Sequence, residues 1–386
     1  MKPSVLSKSN LFLRFCIALA VVLAFGAVIR KINDFSKTPL QTTDGRTFVK
    51  AAVVEIVKDN ADETGNRNGY QTVMLEILEG AHKGEKLEAS SSSSYLYGTV
   101  CQVGMKVIAI LSESPNEVYL SVYSFYRTQV LYVIILLFFL SIYLVGRKQG
   151  LRAIAGLVFT CFCIWYLFLP LVYQGYSPVW CAVFTCIVTT AVTIYFIGGI
   201  SAKTVCAILG TVSGVCISGF LSLLFCRMAR ISGMNVSEIE SLIYVRQETG
   251  IQIGELLHAG ILIAALGAVM DVSMSVASTV WEIHEQNPVL GAMVLFKSGM
   301  NVGRDVIGTM SNTLILAFAG GSINTLIFLY AYDYDYQQMM NMYSVGIEII
   351  QGIASSMGVI LAVPLVSAGM AFFCGRNSRK DSHDYT

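Results

Sequence analysis

Charge is what this sequence has least of. Lys, Arg, Asp and Glu make up 13% of its 386 residues, where a soluble domain gives them roughly a quarter of its positions. Hydrophobic residues rise to 55% and the mean hydropathy is +0.64, far from the globular norm. Charge of one sign is also missing: 26 basic against 25 acidic residues leave a formal net charge of +1. With no basic face to meet a phosphate backbone, nucleic acid is excluded as a partner. Enzyme signatures are lacking too. His284-Glu285 has no second histidine to complete an HExxH zinc site, and no GxSxG nucleophile elbow occurs.

Cysteine is present but not as a framework. Of ten, only Cys101 lies in the polar N-terminal region, which therefore holds no internal disulfide. Cys161 and Cys163 lack zinc-type spacing. They and Cys16, Cys181, Cys186, Cys206, Cys216, Cys226 and Cys374 lie in or beside apolar runs and read as small packing residues.

A crossing helix needs about 20 mostly apolar residues. Candidate spans are Leu11–Ile29, Gln129–Val145, Ala153–Val172, Pro178–Ile197, Thr204–Cys226, Glu255–Ala277, Asp305–Leu329 and Gly346–Phe373. The expectation is a membrane α-helical bundle of about eight transmembrane helices with a small extracytoplasmic all-β, OB-like domain. Its parts are an anchor (1–30), the β-rich domain (31–127), a seven-helix transmembrane domain (128–374) and a tail (375–386). Lys2 and Lys8 before the first span resemble a cleaved leader, but Arg30-Lys31 stands where a small-residue cleavage site would be, which favours an uncleaved anchor. Arg14 snorkels to the interface.

Loop charges set the orientation. Arg147, Lys148 and Arg152, then Lys203, then Arg376, Arg379 and Lys380 fall on one side, giving cytoplasmic termini and an external 31–127. The loops 174–177 and 333–343 carry no Lys or Arg. Only Met228–Gln252 dissents, with Arg230 and Arg246 partly balanced by Glu238, Glu240 and Glu248.

Residues 31–127 alternate apolar and polar side chains, as in Val73, Leu75 and Ile77. That period of two predicts strands at Phe48–Val57, Tyr70–Leu78, Glu85–Glu88, Lys106–Leu111 and Glu117–Tyr123. Five strands fit a small OB-type barrel. Ser90–Ser94 reads as a loop, and His82 as an isolated exposed side chain in a turn.

Polar residues concentrate in the last three spans. Gly267, Asp271, Ser275 and Ser278 share one helix face, as do Asn301, Asp305, Thr309 and Asn312 next to Arg304, and as do Glu348, Gln351 and Ser355. Depth sorts them. An inner cluster holds Asp271, Ser275, Asn301, Arg304, Asp305, Thr309 and Asn312, with Ser311 and Asn312 level with Asp271. An outer cluster holds Glu255, His258, Glu348 and Gln351. Gly320-Gly321 predicts a helix break of the kind that brings backbone groups to a transported ion. The segment Trp281–Met300 reads as an interfacial or re-entrant piece, because Val289–Phe296 after Pro288 is too short to span; it would carry Lys297 to the inner cluster. Two readings stay open for Asp271 and Asp305: a polar pathway, or a staple in which Asp271 pairs with Arg304 near a helix end. Gly267 with Ser275 also suits a small-residue packing face.

The stretches Gly267–Ser278 (GAVMDVSMSVAS) and Ser298–Gly320 (SGMNVGRDVIGTMSNTLILAFAG) resemble the YibE/F family of bacterial multi-pass membrane proteins. The likeness extends, more loosely, from the N-terminal anchor and its outer domain through the last helix, as in the YibE-like branch. It implies a bacterial cell-membrane location and a permease-like role, and it supplies no catalytic residue. The expectation is therefore a non-enzymatic permease or secondary transporter of an ion or small solute. A scaffold acting through a protein partner of the outer domain is the alternative, and a membrane enzyme a more remote one. No cofactor is called for; His258 with Glu255 and Glu348 is the sole metal set to consider. The lipid bilayer is the obligatory partner.

Overall fold

The computed structural model describes residues 23–37, 40, 45–61, 67, 69–92, 99–113, 118–236 and 239–383, with side chains to residue 375. Lys2, Lys8, Arg14, Cys16, Ser93, Ser94, Glu238 and the side chains of Arg376, Arg379 and Lys380 lie outside these, as does most of the expected first span. The chain forms two compact units, Pro39–Leu144 and Val145–Thr386 with residues 1–38.

The first unit is built on a closed barrel of β1 (Arg46–Lys58), β2 (Tyr70–Ile77), β3 (Lys86–Ser92), β4 (Lys106–Glu113) and β5 (Val118–Phe125), in the order β1-β2-β3-β5-β4. Strict alternation drives it: Val73, Leu75 and Ile77 of β2 and Val107, Ala109 and Leu111 of β4 all point into one buried core. The long β1 pairs with β4 through Arg46–Ala52 and with β2 through Ala51–Lys58. Register shifts at Val53/Glu55 and Ile56/Lys58 bend it between the two partners. A short parallel contact, Ala89↔Leu120 and Ser90↔Ser121, closes the ring.

Here the serine run corrects expectation. Ser90, Ser91 and Ser92 belong to β3 and not to a loop; Ser91 is buried and its hydroxyl donates to Thr99 O at 2.7 Å. Serine hides the alternation because neither face of the strand then differs in hydropathy. One buried polar side chain completes the core. Gln71 accepts from Cys101 N–H at 2.8 Å and donates to Cys101 O at 3.2 Å and Asp59 Oδ1 at 3.3 Å. That satisfies its amide and pins the 99–101 segment to β2.

His82 is not isolated either. Its Nδ1 lies 2.8 Å from Glu85 Oε2, and its Nε2 lies 3.4 Å from Glu113 Oε1 at the end of β4. The hydrogen bond to Glu85, then its charge and that of Glu113, hold the imidazole above the usual histidine range. With the folded pKa above the unfolded value of about 6.5, the tie is fully present below that pH and is lost as pH rises through the folded value. In a ¹³C-histidine titration the His82 ring should show a midpoint above that of a free histidine. Glu85→Gln should lower it more than Glu113→Gln; a midpoint unmoved by either would refute the tie.

The second unit is helical. Residues 23–32 form α1. Then follow α2 (Thr128–Cys163), α3 (Leu169–Tyr173), α4 (Pro178–Gly198), α5 (Ala202–Met228), α6 (Ile239–Thr249), α7 (Leu256–Gln286), α8 (Ala292–Gly321), α9 (Ile323–Ala331), α10 (Tyr336–Met340) and α11 (Tyr343–His383). Helix α2 begins in the first unit and continues into the second. Among the described residues, five stretches are long and apolar enough to cross a membrane: Thr128–Tyr173, Pro178–Gly198, Ala202–Met228, Ile253–Gln286 and Tyr343–Gly375. Helices α8 and α9, bent by 64°, pass the same criterion together. The 46-residue stretch from Thr128 is interrupted at Arg147 (φ 46, ψ −124); unbroken it would be about 69 Å long, twice a hydrocarbon core.

Local sequence explains two irregularities. Pro170 has no N–H for the carbonyl of Tyr166, and its ring would clash there. The chain widens into a π turn over Ile164–Phe168, and the freed Tyr166 O accepts from Asn33 Nδ2 at 2.8 Å. The expected loop Met228–Gln252 contains α6, none of whose residues is buried.

Glycine sets the central packing. Gly210 of α5 faces Val366 of α11, Gly214 faces Ala362, and Gly358 of α11 faces Ser218, an antiparallel register stepping four residues at a time. A Cβ on Gly214 would lie 2.7 Å from Val269 Cγ1 of α7 and 2.8 Å from Ala362 Cβ. Between helices in lipid, where no hydrophobic effect drives association, close backbone approach is the main source of attraction.

Candidate functional site

Helix α8 corrects the sequence reading in a way that matters for the site. It begins at Ala292 and not at Asp305, so Val289–Phe296 is not a separate re-entrant piece; its second half is the first turn of a 30-residue helix. Arg304 and Asp305 therefore lie in mid-helix, not near an end. Asp271 falls level with Gly308, about a turn from the expected Asn312, because α7 and α8 run antiparallel with Val280 against Gly299.

One side of α8 is inserted into the bundle. Leu295, Gly299 and Gly303 are buried, and a Cβ on Gly299 would lie 2.6 Å from Ser367 Oγ of α11. The opposite side carries Asn301, Arg304, Asp305, Gly308, Thr309 and Asn312, all exposed. Arg304 Nη1 donates to Asn301 Oδ1 at 3.2 Å, and Thr309 Oγ1 to Val306 O at 3.0 Å. Helix α7 has a similar outward stripe of Gly260, Gly267, Asp271 and Ser275, and its other residues as far as Val280 are buried or half-buried. The staple, one of the two readings left open, is not formed. Among the described residues the ion pairs all lie in the first unit, and neither Asp271 nor Asp305 is joined to Arg304.

Depth gives these faces their meaning. Gly303 packs on Val363 of α11, twelve residues short of Gly375 at the end of the apolar stretch. That is about 18 Å along the helix, comparable with half of a hydrocarbon core of about 30 Å. A charge held at that depth against acyl chains costs about 2.5–3.5 kcal/mol even on the mildest insertion scale. Arg304 and Asp305 are thus costly where they stand unless water or protein covers them.

The expected outer residues divide among separate partners. The Ser177 hydroxyl, at the start of α4, donates to Glu255 Oε2. His258 is buried with Nδ1 2.9 Å from Ser222 Oγ of α5. Gln351 is half-buried in α11. Among the described residues, Glu348 is the only charged one lining a cavity of about 350 Å³ at the elbow of α8 and α9, with Ile315, Phe318, Leu326, Ser344 and Gly352. The bend of 64° there falls at Ser322, directly after Gly320-Gly321. No three His, Cys, Asp or Glu side chains among the described residues are placed to hold a metal, so His258, Glu255 and Glu348 do not form a ligand set.

Sequence reasoning missed a hydroxyl seam in the core. Ser218 of α5, Ser273 of α7, and Ser355 and Ser367 of α11 are fully buried, and none finds a hydrogen-bond partner among the described residues. The signal was present: Gly210, Gly214, Ser218 and Ser222 recur at every fourth residue, the mark of a helix face lined by small side chains.

Long apolar helices and a bent helix pair define a multi-pass membrane protein. A family model described as YibE/F-like protein matches residues 134–376, from within α2 to the end of the apolar stretch of α11. The match covers well over half of the chain, and this protein belongs to the YibE/F-like family. The barrel lies outside the matched residues. No curated protein and no solved structure matches the chain.

Proposed function

We propose that this protein is a permease or secondary transporter of an ion or small solute, with its polar site on α7 and α8. The observation that carries the reading is the exposure of Asp271, Asp305 and Arg304 at mid-helix depth, unpaired with one another. Natural sequences keep ionisable groups at that depth chiefly where they face a cavity or a partner. In this reading Asp271 and Asp305 bind a cation or proton, Arg304 sets the charge balance, and Ser275, Asn301, Thr309 and Asn312 supply neutral ligands. Glu255, His258, Glu348 and Gln351 lie toward the other end of the pathway. The chain makes eight crossings of a bacterial cell membrane, two of them from the stretch broken at Arg147, with cytoplasmic termini and residues 31–127, an OB-type barrel, outside. It is not an enzyme.

The test is flux in proteoliposomes of the full chain, read with a pH-sensitive dye and with Na⁺ and K⁺ tracers. Asp271→Asn and Asp305→Asn should each lower the flux of the transported ion at least about tenfold, the size of effect that loss of 1.4 kcal/mol produces. Flux unchanged in both variants, or none in the parent, sinks the proposal.

One observation favours a second reading: the barrel is a closed unit outside the family-matched residues. A scaffold recruiting a protein partner through it would lose its role on deletion of residues 40–120, whereas a transporter core would keep its flux.

A further inference from the structure

The polar face of α8 has the pattern of a surface that matches itself. Taking Gly299, seated on α11, as the inward direction, a helix of 3.6 residues per turn puts Gly308 at about 180° and Asn301 at about 200°. Arg304 then stands at about 140° and Asp305 at about 240°, one on each side of that midline. Two copies of a membrane protein inserted the same way can pair only about an axis along the bilayer normal, so their α8 helices would lie parallel. Around such an axis the left flank of each helix meets the right flank of the other at the same depth. Arg304 of each copy then faces Asp305 of the other, twice over, with the two residues offset by a single step of helical rise.

We propose that the exposed face of α8 packs against the same face of a second copy of this chain, its two charges neutralised by reciprocal Arg304–Asp305 pairs. The midline suits the contact. A Cβ on Gly308 would meet nothing within 4 Å in the single chain, so the glycine leaves room for a second backbone to approach closely. Asn301, Gly308 and Ile315 recur every seventh residue, the period of helices that cross at a shallow left-handed angle. Asparagine near such a midline can hydrogen-bond its own counterpart across the axis. The apolar run 129–145 of the same chain contains no charged residue, so it cannot neutralise this face. A second copy brings both required charges in the required order. The pairing does not depend on the transport reading; where both hold, Asp305 is held by Arg304 of the second copy and Asp271 is left as the carboxylate for the ion.

The test is disulfide cross-linking of the full chain in native membranes. Gly308→Cys is compared with Ile187→Cys on the lipid-facing side of α4, and with the parent chain as a blank for native cysteines. Oxidation should give a dimer at twice the chain mass from Gly308→Cys at least about tenfold more efficiently than from Ile187→Cys. In the Gly308→Cys background, Arg304→Asp or Asp305→Arg alone sets like charges face to face and should reduce the dimer several-fold. The two together exchange the charges and should restore it. Equal cross-linking at positions 308 and 187, or none at 308, overturns the proposal. So does a double variant that inserts normally yet stays as weak as the singles. Since the readout is a covalent dimer, a chain that dimerises without flux would retain this inference and reject the transport one.

Discussion

Replacing Gly214 with leucine is expected to abolish the folded bundle. Its neighbours come from two other helices, with Val269 Cγ1 2.7 Å, Ala362 Cβ 2.8 Å and Gly358 O 3.0 Å from the place where a Cβ would go. Backbone and Cβ atoms cannot swing aside as the end of a long side chain can, so α5, α7 and α11 would have to separate. A single added methyl in such a site costs about 1–3 kcal/mol; three more carbons exceed what a shift of a few tenths of an ångström can absorb. Gly214→Ala should fold with a lowered melting temperature. Gly214→Leu should give no monodisperse peak on size-exclusion chromatography in detergent. The control lies one helix away. A Cβ on Gly267 meets nothing within 4 Å, and Gly267→Leu should melt like the parent. Equal behaviour of the two leucine variants would remove glycine packing as the basis of this fold.

A second large effect is expected at Gln71→Ala. The amide carries the two hydrogen bonds that fix the Cys101 backbone to the barrel, and removing it leaves a buried N–H and C=O without partners. An unsatisfied buried group costs about 1–3 kcal/mol, which local opening of the 99–101 segment would relieve. The Cys101 thiol is buried at 1% exposure, and burial pushes its pKa up against the pull of the Ser91 hydrogen bond, so it is inert in the parent. Opening exposes it. Peptide-level mass spectrometry of maleimide-treated chain should show Cys101 labelled about ten to a hundred times faster in Gln71→Ala, the ratio such a free-energy change implies. Labelling of Cys163, buried in the helical unit, should not change. If Cys101 stays as slow as in the parent, Gln71 is not what holds the segment.

The barrel strands were legible because their signal is local: Val73, Leu75 and Ile77 declare the inward face without help from the rest of the chain. β3 was cut short for the complementary reason, since Ser90, Ser91 and Ser92 form backbone ladders as well as any residue but carry no hydropathy contrast. The polar stripes of α7 and α8 could be read from four-residue spacing. Where α8 begins could not. Its first half holds Lys297, Asn301 and Arg304, which look like a loop by hydropathy, and its buried side is made largely of Gly299 and Gly303, which look like nothing. In a water-soluble protein the inward face of a helix is the oily one; here the inward face is the narrow one. The span of α5 was legible as Thr204–Cys226, but that substitution of width for oiliness hid its role, since its glycines and serines pack the centre of the bundle. Contacts such as His82 with Glu113 depend on residues 31 positions apart and are outside the reach of any local pattern.

Only Tyr126 and Arg127 separate β5 from α2, and neither is slack. Tyr126 N–H bonds to Lys106 O at 3.1 Å on the barrel, Lys50 Nζ lies 4.2 Å from the centre of the Tyr126 ring, and Arg127 O already accepts from Leu131 N–H at 3.0 Å in the first helical turn. The barrel and the start of α2 are thus coupled like a handle and its shaft. Any turn of the barrel therefore carries the head of α2 with it, and the first place along the chain where helical geometry lapses is Arg147, some twenty residues and about 30 Å of helix further on.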